Sequence, residues 1–183
     1  ARSAGLDSLA SVARSALAET QLELGEVDEA LRLALELAAD PRARRGNQVL
    51  QALGTVLDAW LIREDPARAR DAAAGFIDAS RGRAWEWFGL YADRFAMLAA
   101  AEGRFDAAAC LVGHADAAYE AVGARDTTAS AWRTRALAPI ESGLDAATVQ
   151  RLLAEGARMD PQSVCSLVLA PGAPNTVRRE EAP

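Results

Sequence analysis

Three segments of the chain repeat one pattern at a spacing of 39 residues. They are LELGEVDEALRLALEL from Leu22, LIREDPARARDAAAGF from Leu61 and AAEGRFDAAACLVGHA from Ala100. Each carries a residue suited to a turn, namely Gly25, Glu64 or Gly103, and an alanine five residues later. The turn residue ends one helix, and the small residue lets the next helix pack closely against it. The repeat therefore predicts a stack of helical hairpins, because each hairpin buries its apolar face only against its neighbours.

The repeated unit resembles the tetratricopeptide repeat, a helix pair with the core pattern G-x-[apolar]-x-x-A and a period of about 34 residues. The positions that carry the resemblance are Val27, Pro66 and Phe105, followed by Ala30, Ala69 and Ala108. The longer period of this chain predicts longer helices or longer turns between units. We therefore expect an all-α fold, a right-handed stack of antiparallel helix pairs that forms a TPR-like α-solenoid.

Apolar residues recur at helical spacing, and alanine, the best helix former, is abundant. One apolar stripe comprises Leu6, Leu9, Ala13, Ala16, Leu17, Thr20 and Leu24. The pattern predicts helices over 6–24, 27–39, 46–63, 66–79, 83–102, 105–122, 127–138, 145–156 and 161–169. We expect a single helical-repeat domain over 1–170. A disordered tail or linker is expected over 171–183, because PGAPNTVRREEAP is polar and rich in proline.

Charge and composition argue against several classes of function. The net charge of −6 disfavours contact with nucleic acid. Every basic residue is arginine, so sites that depend on lysine, such as a P-loop or a Schiff base, are not expected. No apolar run reaches the ~18 residues that a membrane span requires. Two widely separated cysteines indicate free thiols in the cytoplasm, and the lack of an initial Met suggests a segment of a larger protein.

The only histidine of the chain, His114, follows Cys110 by four residues, which places both side chains on one helix face. This spacing is that of half a metal site, but a structural zinc site needs two further ligands. Cys165 is the only other thiol, and the sequence indicates no oxyanion loop for nucleophilic catalysis. We therefore interpret the pair as part of a packing motif, and expect no metal, no cofactor and no catalytic residue.

The segment RGRAWEWFGLYADRF, from Arg81 to Phe95, is the most aromatic part of the chain. Its helix is apolar nearly all round, which is typical of a helix buried between neighbouring repeats. The alternative is an aromatic pocket, formed by Trp85, Trp87 and Tyr91, for a small effector or an inserted peptide.

In tetratricopeptide arrays the first helix of each pair lines a groove, which gives a second candidate site. Counting back from the turns places Ser15, Gly54 and Asp93 at equivalent positions, with Glu19, Asp58 and Met97 beside them. The carboxylates among them would attract a cationic peptide or an amine. The alternative interpretation is a solvated acidic face without a ligand.

The part of the chain from Gly103 to Ala170 resembles the C-terminal helical-repeat domain of large bacterial ATP-dependent transcriptional regulators of the LuxR type and the SARP/AfsR-like type. The resemblance is carried by GRFDAAACLVGHADAAYEAVGA, by the helix that contains Trp132-Arg133, and by LLAEGARMDPQSVCSLVLA. It implies a sensor or scaffold region, with ATP hydrolysis and DNA binding in other modules. The family usually has Arg and Ala where this chain has Cys110 and His114, so it lends no support to chemistry at that pair.

The expected function is a non-catalytic module that binds a protein, a peptide or a small effector, within a cytoplasmic bacterial regulator. A possible homodimer is expected from unpaired repeat ends. The alternatives are a free-standing TPR-like adaptor and, less favoured, a small helical enzyme.

Overall fold

The computed structural model describes residues 2–41, 47–81 and 85–171, with side chains from residue 9 onward and a side-chain gap over 82–87. Over this described part the chain is all-helical and has no strand, which confirms the predicted all-α class. The helices are α1 (Arg2–Glu23), α2 (Val27–Ala39), α3 (Gln48–Ile62), α4 (Pro66–Ser80), α5 (Trp85–Leu90), α6 (Ala92–Ala101), α7 (Phe105–Val122), α8 (Thr127–Gly143), α9 (Ala146–Gly156) and α10 (Pro161–Leu169). The predicted tail, apart from Pro171, lies outside the described residues.

The turns of the repeat share one backbone conformation. Gly25, Glu64 and Gly103 have φ angles of 82°, 55° and 73°, in the left-handed region. At each turn this residue donates its N–H to the carbonyl three positions earlier, and the next residue donates to the carbonyl five positions earlier. This pair of bonds is the Schellman motif, which satisfies the free carbonyls at a helix end. The repeat of 39 residues is therefore a repeat of hydrogen bonding as well as of sequence.

The alanine that follows each turn is fully buried at the start of the second helix of each pair. Ala30, Ala69 and Ala108 each have 0% exposure, so the small residue permits close contact between the two helices. The pairs are α1–α2, α3–α4 and α6–α7, and successive helices pack side by side. After these, α8 packs on α6 and α7, α9 packs on α7, and α10 contacts α4 and α7.

Aspartates set where several helices begin. Asp65, Asp126, Asp145 and Asp160 precede α4, α8, α9 and α10, and each accepts a backbone N–H from the first turn of its helix. Such caps satisfy donors that have no partner within the helix. The core between the pairs is aromatic near its centre, where Phe88 and Phe95 stack at 5.0 Å and Phe76 meets Phe95 edge-on at 5.6 Å.

Most observed boundaries lie within two residues of the predicted ones, but α1 begins at Arg2 rather than at residue 6, and two other helices differ in ways that the packing explains. The predicted helix 83–102 is interrupted at Tyr91, where φ is −97° and ψ is −1°. The Tyr91 ring packs 4.6 Å from the Phe76 ring and fills the space above Gly54, which explains the interruption by tertiary packing. The helix predicted to end at 138 continues through Pro139 to Gly143. The carbonyl that Pro139 leaves without a donor belongs to Arg135, an exposed residue, so water can satisfy it.

The described side chains of the predicted apolar stripe, from Leu9 to Leu24, lie largely exposed, and the side chain of Leu6 lies outside the described residues. Leu9 and Leu24 are 67% and 69% exposed, whereas the buried face of α1 consists of Ser11, Ser15 and Ala18. The repeat explains why this face of α1 is exposed. The equivalent residues of the next repeat, 39 positions later, include Ala52, Val56 and Ala59 on α3. They are buried, and α2 packs against α3. The first pair has no equivalent of α2 on that side within the described part of the chain.

Candidate functional site

A cavity of about 450 Å³ opens between α1, α3 and α6, the first helices of the three pairs, and α8, which packs on α6 and α7. We call it the central cavity. α1 contributes Glu19, Leu22 and Glu23, and α3 contributes Thr55, Asp58 and Ile62. The opposite wall consists of Tyr91, Arg94, Tyr119 and one side of α8 from Asp126 to Arg135. Its volume lies in the range of small-molecule sites, about 300–1,000 Å³.

A buried ion pair forms the floor of the central cavity. The Nε of Arg94 donates to both carboxylate oxygens of Asp58, at 2.9 and 3.0 Å. Asp58 is only 6% exposed, and burial raises its pKa although the Arg94 guanidinium opposes the rise. Burial would lower the pKa of Arg94, but the carboxylate of Asp58 more than offsets this and the pKa is raised. Each partner therefore keeps the other charged, and the loss of one would leave an uncompensated buried charge.

Aromatic rings hold the Arg94 guanidinium in place. Its carbon lies 4.7 Å from the centre of the Tyr91 ring and 5.6 Å from that of Trp132. Arg135 approaches the same Trp132 ring at 5.2 Å. A Cβ atom on Gly54 would lie 2.2 Å from the Tyr91 ring, so only glycine leaves room for this tyrosine. The absence of a side chain at Gly54 thus positions Tyr91 and, through it, Arg94.

The α1 side of the central cavity is acidic. Glu19 and Glu23 line it, and neither carboxylate forms a salt bridge with a cation of the described residues. Burial raises the pKa of Glu19, and the nearby Asp58 carboxylate adds to the rise while Arg94 opposes it. The α8 side carries Arg135. The wall of the cavity therefore carries charges of both signs.

An ion-pair network behind the cavity positions the start of α8. Arg125, in the turn before α8, bonds to Asp93 of α6 and to Asp116 of α7, and Arg133 of α8 also bonds to Asp116, at 2.8 and 3.0 Å. Asp93 is completely buried, and its Oδ1 has no hydrogen-bond partner among the described residues. Burial raises the pKa of Asp93 to about 6, although Arg125 opposes the rise. Tyr119 adds a further link, since its hydroxyl donates to the carbonyl of Leu90 at 3.0 Å.

The predicted groove residues are partly brought together. Glu19 and Asp58 line the central cavity, and Met97 lies in an adjoining cavity of about 430 Å³ that shares Leu22 and Trp132 with it. The other two do not lie on the wall. Ser15 is buried between α1 and α3, where its hydroxyl donates to Gln51 at 3.3 Å, and Asp93 faces Arg125. Of the three carboxylates at the predicted positions, Asp58 is paired with Arg94 and Asp93 with Arg125, so only Glu19 forms no salt bridge with a described residue.

The predicted aromatic pocket is described only in part. Trp85 and Trp87 have side chains outside the described residues. Tyr91 does line the central cavity, together with Trp132 and Tyr119, which sequence reasoning did not select. Arg94 was also missed, although a signal existed: an arginine on a helix that is apolar nearly all round needs a counter-ion, and Asp58 was already a candidate.

Cys110 and His114 lie where α7 packs on α9, not in the central cavity. A Cβ on Gly113 would lie 2.0 Å from the carbonyl oxygen of Leu153, and one on Gly156 would lie 1.8 Å from that of Cys110. The two glycines therefore let the backbones of α7 and α9 approach each other closely. Burial raises the pKa of Cys110 to about 11 and lowers that of His114. No group of three or more potential metal ligands occurs among the described residues.

Comparisons of the chain with protein families, with curated proteins and with solved structures find no significant match. None of the described helices combines the length and the hydrophobicity that crossing a lipid bilayer would need.

Proposed function

We propose that the chain is a non-catalytic helical-repeat module that binds a small effector or a short peptide in the central cavity. The observation that carries this proposal is the composition of the cavity wall, to which α1, α3, α6 and α8 all contribute. A bound ligand therefore contacts every helix pair of the array at once. In a stack that is held together only by contacts between neighbours, such a ligand sets the spacing and the curvature of the pairs.

The chemistry of the wall supports binding rather than catalysis. Among the described residues that line the central cavity there is no histidine, cysteine or serine. The buried carboxylate, Asp58, is held as an ion pair by Arg94, which leaves it a poor general base. Aromatic and apolar surface with a few convergent charges is typical of a recognition site.

The resemblance to LuxR-type and SARP/AfsR-like regulators supports a sensor or scaffold role in a cytoplasmic bacterial transcriptional regulator. In that setting the array would transmit its change of curvature to ATPase and DNA-binding modules elsewhere in the protein. A free-standing adaptor is the second candidate, and the full reading frame separates the two by the presence or absence of those modules.

Ligand binding is tested by thermal shift with a library of metabolites and short peptides, on the wild type and two variants of α8. Ala131→Trp fills the cavity from an exposed wall position, and Thr134→Trp is its matched control at an exposed position off the wall. We expect at least one compound to raise the Tm of the wild type and of Thr134→Trp but not of Ala131→Trp. The proposal is contradicted if no compound in the library raises the Tm of the wild type, or if the compounds that do so raise the Tm of Ala131→Trp equally.

A further inference from the structure

Arg94 has donors that the protein does not use. Only its Nε bonds to protein, at 2.9 and 3.0 Å from Asp58, and its two terminal nitrogens have no acceptor among the described residues. The side chain as a whole is 12% exposed and lines the central cavity, and its terminal nitrogens are not among the buried unpaired atoms, so they are accessible from the cavity. A guanidinium presents its terminal N–H groups as a planar fork that matches a carboxylate. Such a fork, open to the cavity and without a protein acceptor, is a site for an acceptor that comes from outside the chain.

A second guanidinium converges on the same place. Arg135 lies across the Trp132 ring that also contacts Arg94, and it is near enough to Asp58 to influence the pKa of that carboxyl. Asp58 offsets one of the two positive charges. Asp126 also lines this wall, but its carboxylate accepts the backbone N–H of Ala129 at the start of α8, and Arg135 forms no salt bridge with a described carboxylate. This side of the central cavity is therefore suited to one negative charge.

The α1 side is suited to a positive charge, because Glu19 and Glu23 line it without a salt bridge to any described cation. Leu22 and Ile62 lie next to these carboxylates and supply apolar surface. The wall of the central cavity thus carries carboxylates on α1, guanidinium groups on α6 and α8, and apolar surface, within about 450 Å³.

We infer that the ligand of the central cavity is a small zwitterion, an amino acid or a close analogue, whose carboxylate binds Arg94 and Arg135 and whose ammonium faces Glu19 and Glu23. This inference rests on the proposed binding function and names the class of ligand. A ligand with only one of the two charges would leave the other side of the cavity desolvated without a partner.

The experiment titrates the full chain by calorimetry with the twenty common amino acids, γ-aminobutyrate and 5-aminovalerate. The tightest ligand is then compared with its amide, which lacks the carboxylate, and with its N-acetyl derivative, which lacks the ammonium. We expect each derivative to bind at least ~10-fold more weakly, since charged hydrogen-bonded groups carry about that much affinity.

Two variants that each remove one charge test which group of the ligand each residue binds. Arg135→Gln and Glu19→Gln change exposed positions and leave the buried Asp58–Arg94 pair intact. Arg135→Gln is expected to weaken binding of the amino acid and of its N-acetyl derivative, but not of the amide. Glu19→Gln is expected to weaken the amino acid and the amide, but not the N-acetyl derivative. Ala131→Trp is the control, because filling the cavity should abolish binding of the amino acid, its amide and its N-acetyl derivative alike.

Three results overturn the inference. One is an amide or N-acetyl derivative that binds as tightly as the amino acid, and another is a variant that weakens all compounds equally. The third is that no amino acid binds, whereas a simple amine or a peptide binds to the wild type but not to Ala131→Trp. In that case the proposed binding function is kept, and only the inferred ligand class is wrong. If no compound of any class shows that dependence on Ala131, the proposed function fails as well.

Discussion

Replacement of Gly156 by alanine tests whether α7 and α9 really meet backbone to backbone. The new Cβ would lie 1.8 Å from the carbonyl oxygen of Cys110, whereas real Cβ contacts are essentially never closer than 3.0 Å. The two helices must therefore separate by at least about 1.2 Å at this point. The obstacle is main chain within a helix, so no change of side-chain rotamer relieves it.

The expected cost follows from opposing effects. Overpacking of this kind costs about 1–3 kcal/mol, and a rigid backbone obstacle places the cost near the upper end of that range. Alanine returns at most about 1 kcal/mol of helix propensity relative to glycine. The net loss is about 2 kcal/mol in the free energy of unfolding, which for a chain of this size lowers the Tm by about 4–8 °C.

Gly75→Ala is the matched control, because this glycine lies inside α4 and its added Cβ would meet only Leu53, at an ordinary 3.6 Å. It is expected to stabilise the chain by about 0.5–1 kcal/mol through helix propensity alone. Urea denaturation followed by circular dichroism, together with calorimetric melting, measures both variants. A Gly156→Ala variant as stable as the wild type, or a Gly75→Ala variant destabilised to the same extent, would refute the close approach of α7 and α9.

Three further predictions concern backbone strain, pH and thiol reactivity. Glu64 adopts a φ of 55°, a conformation that glycine adopts without strain, so Glu64→Gly is expected to stabilise the chain by about 0.5–1 kcal/mol. Gly25→Ala, at the equivalent turn, should destabilise it. Thermal melts that rank the two variants in the reverse order would contradict this prediction. Burial raises the pKa of Asp93 to about 6 in the folded chain, above the usual value for a carboxyl group. The uptake of a proton by Asp93 therefore stabilises the folded chain by about 3 kcal/mol below the usual carboxyl pKa, and this stabilisation is lost as the pH rises through 6. The free energy of unfolding of the wild type is compared with that of Asp93→Asn from pH 4 to 8, with Arg125, Asp116 and Arg133 unchanged in both. Relative to the variant, the wild type should lose most of this stability over that range. A difference between the two proteins that stays constant with pH would contradict the prediction. The thiols of Cys110 and Cys165, whose pKa values burial raises to about 11, should react with iodoacetamide at pH 8 far more slowly in the folded chain than in urea, and equal rates would show them to be accessible.

Most helix boundaries could be predicted because their causes are local. Left-handed residues at Gly25, Glu64 and Gly103, and capping aspartates such as Asp65 and Asp126, act within a few residues of the chain. The differences at Tyr91 and Pro139 depend on what surrounds the helix. Tyr91 is held by Gly54 and Phe76 from other helices, and Pro139 is tolerated because the carbonyl of Arg135 is exposed.

The candidate site could be predicted only in outline. The register of the repeat placed Glu19 and Asp58 side by side, and both line the central cavity. The register did not show that Arg94 would pair with Asp58, since these residues are 36 positions apart and their meeting depends on how α3 and α6 cross. Likewise, the apolar stripe of α1 indicated a buried face, yet Leu9 and Leu24 are exposed, because periodicity reveals an apolar face without showing what covers it.

The sequence by itself determined the helical hairpin, its period of 39 residues and the packing role of small residues such as Ala108 and Gly113, because hydrogen bonding, turn conformation and side-chain size act locally. Only the tertiary structure decided which charges neutralise one another and which remain free for a ligand. Electrostatic pairing is settled by distance and burial in three dimensions, and residues as far apart in the chain as Asp58 and Arg94 acquire both only when the stack is assembled.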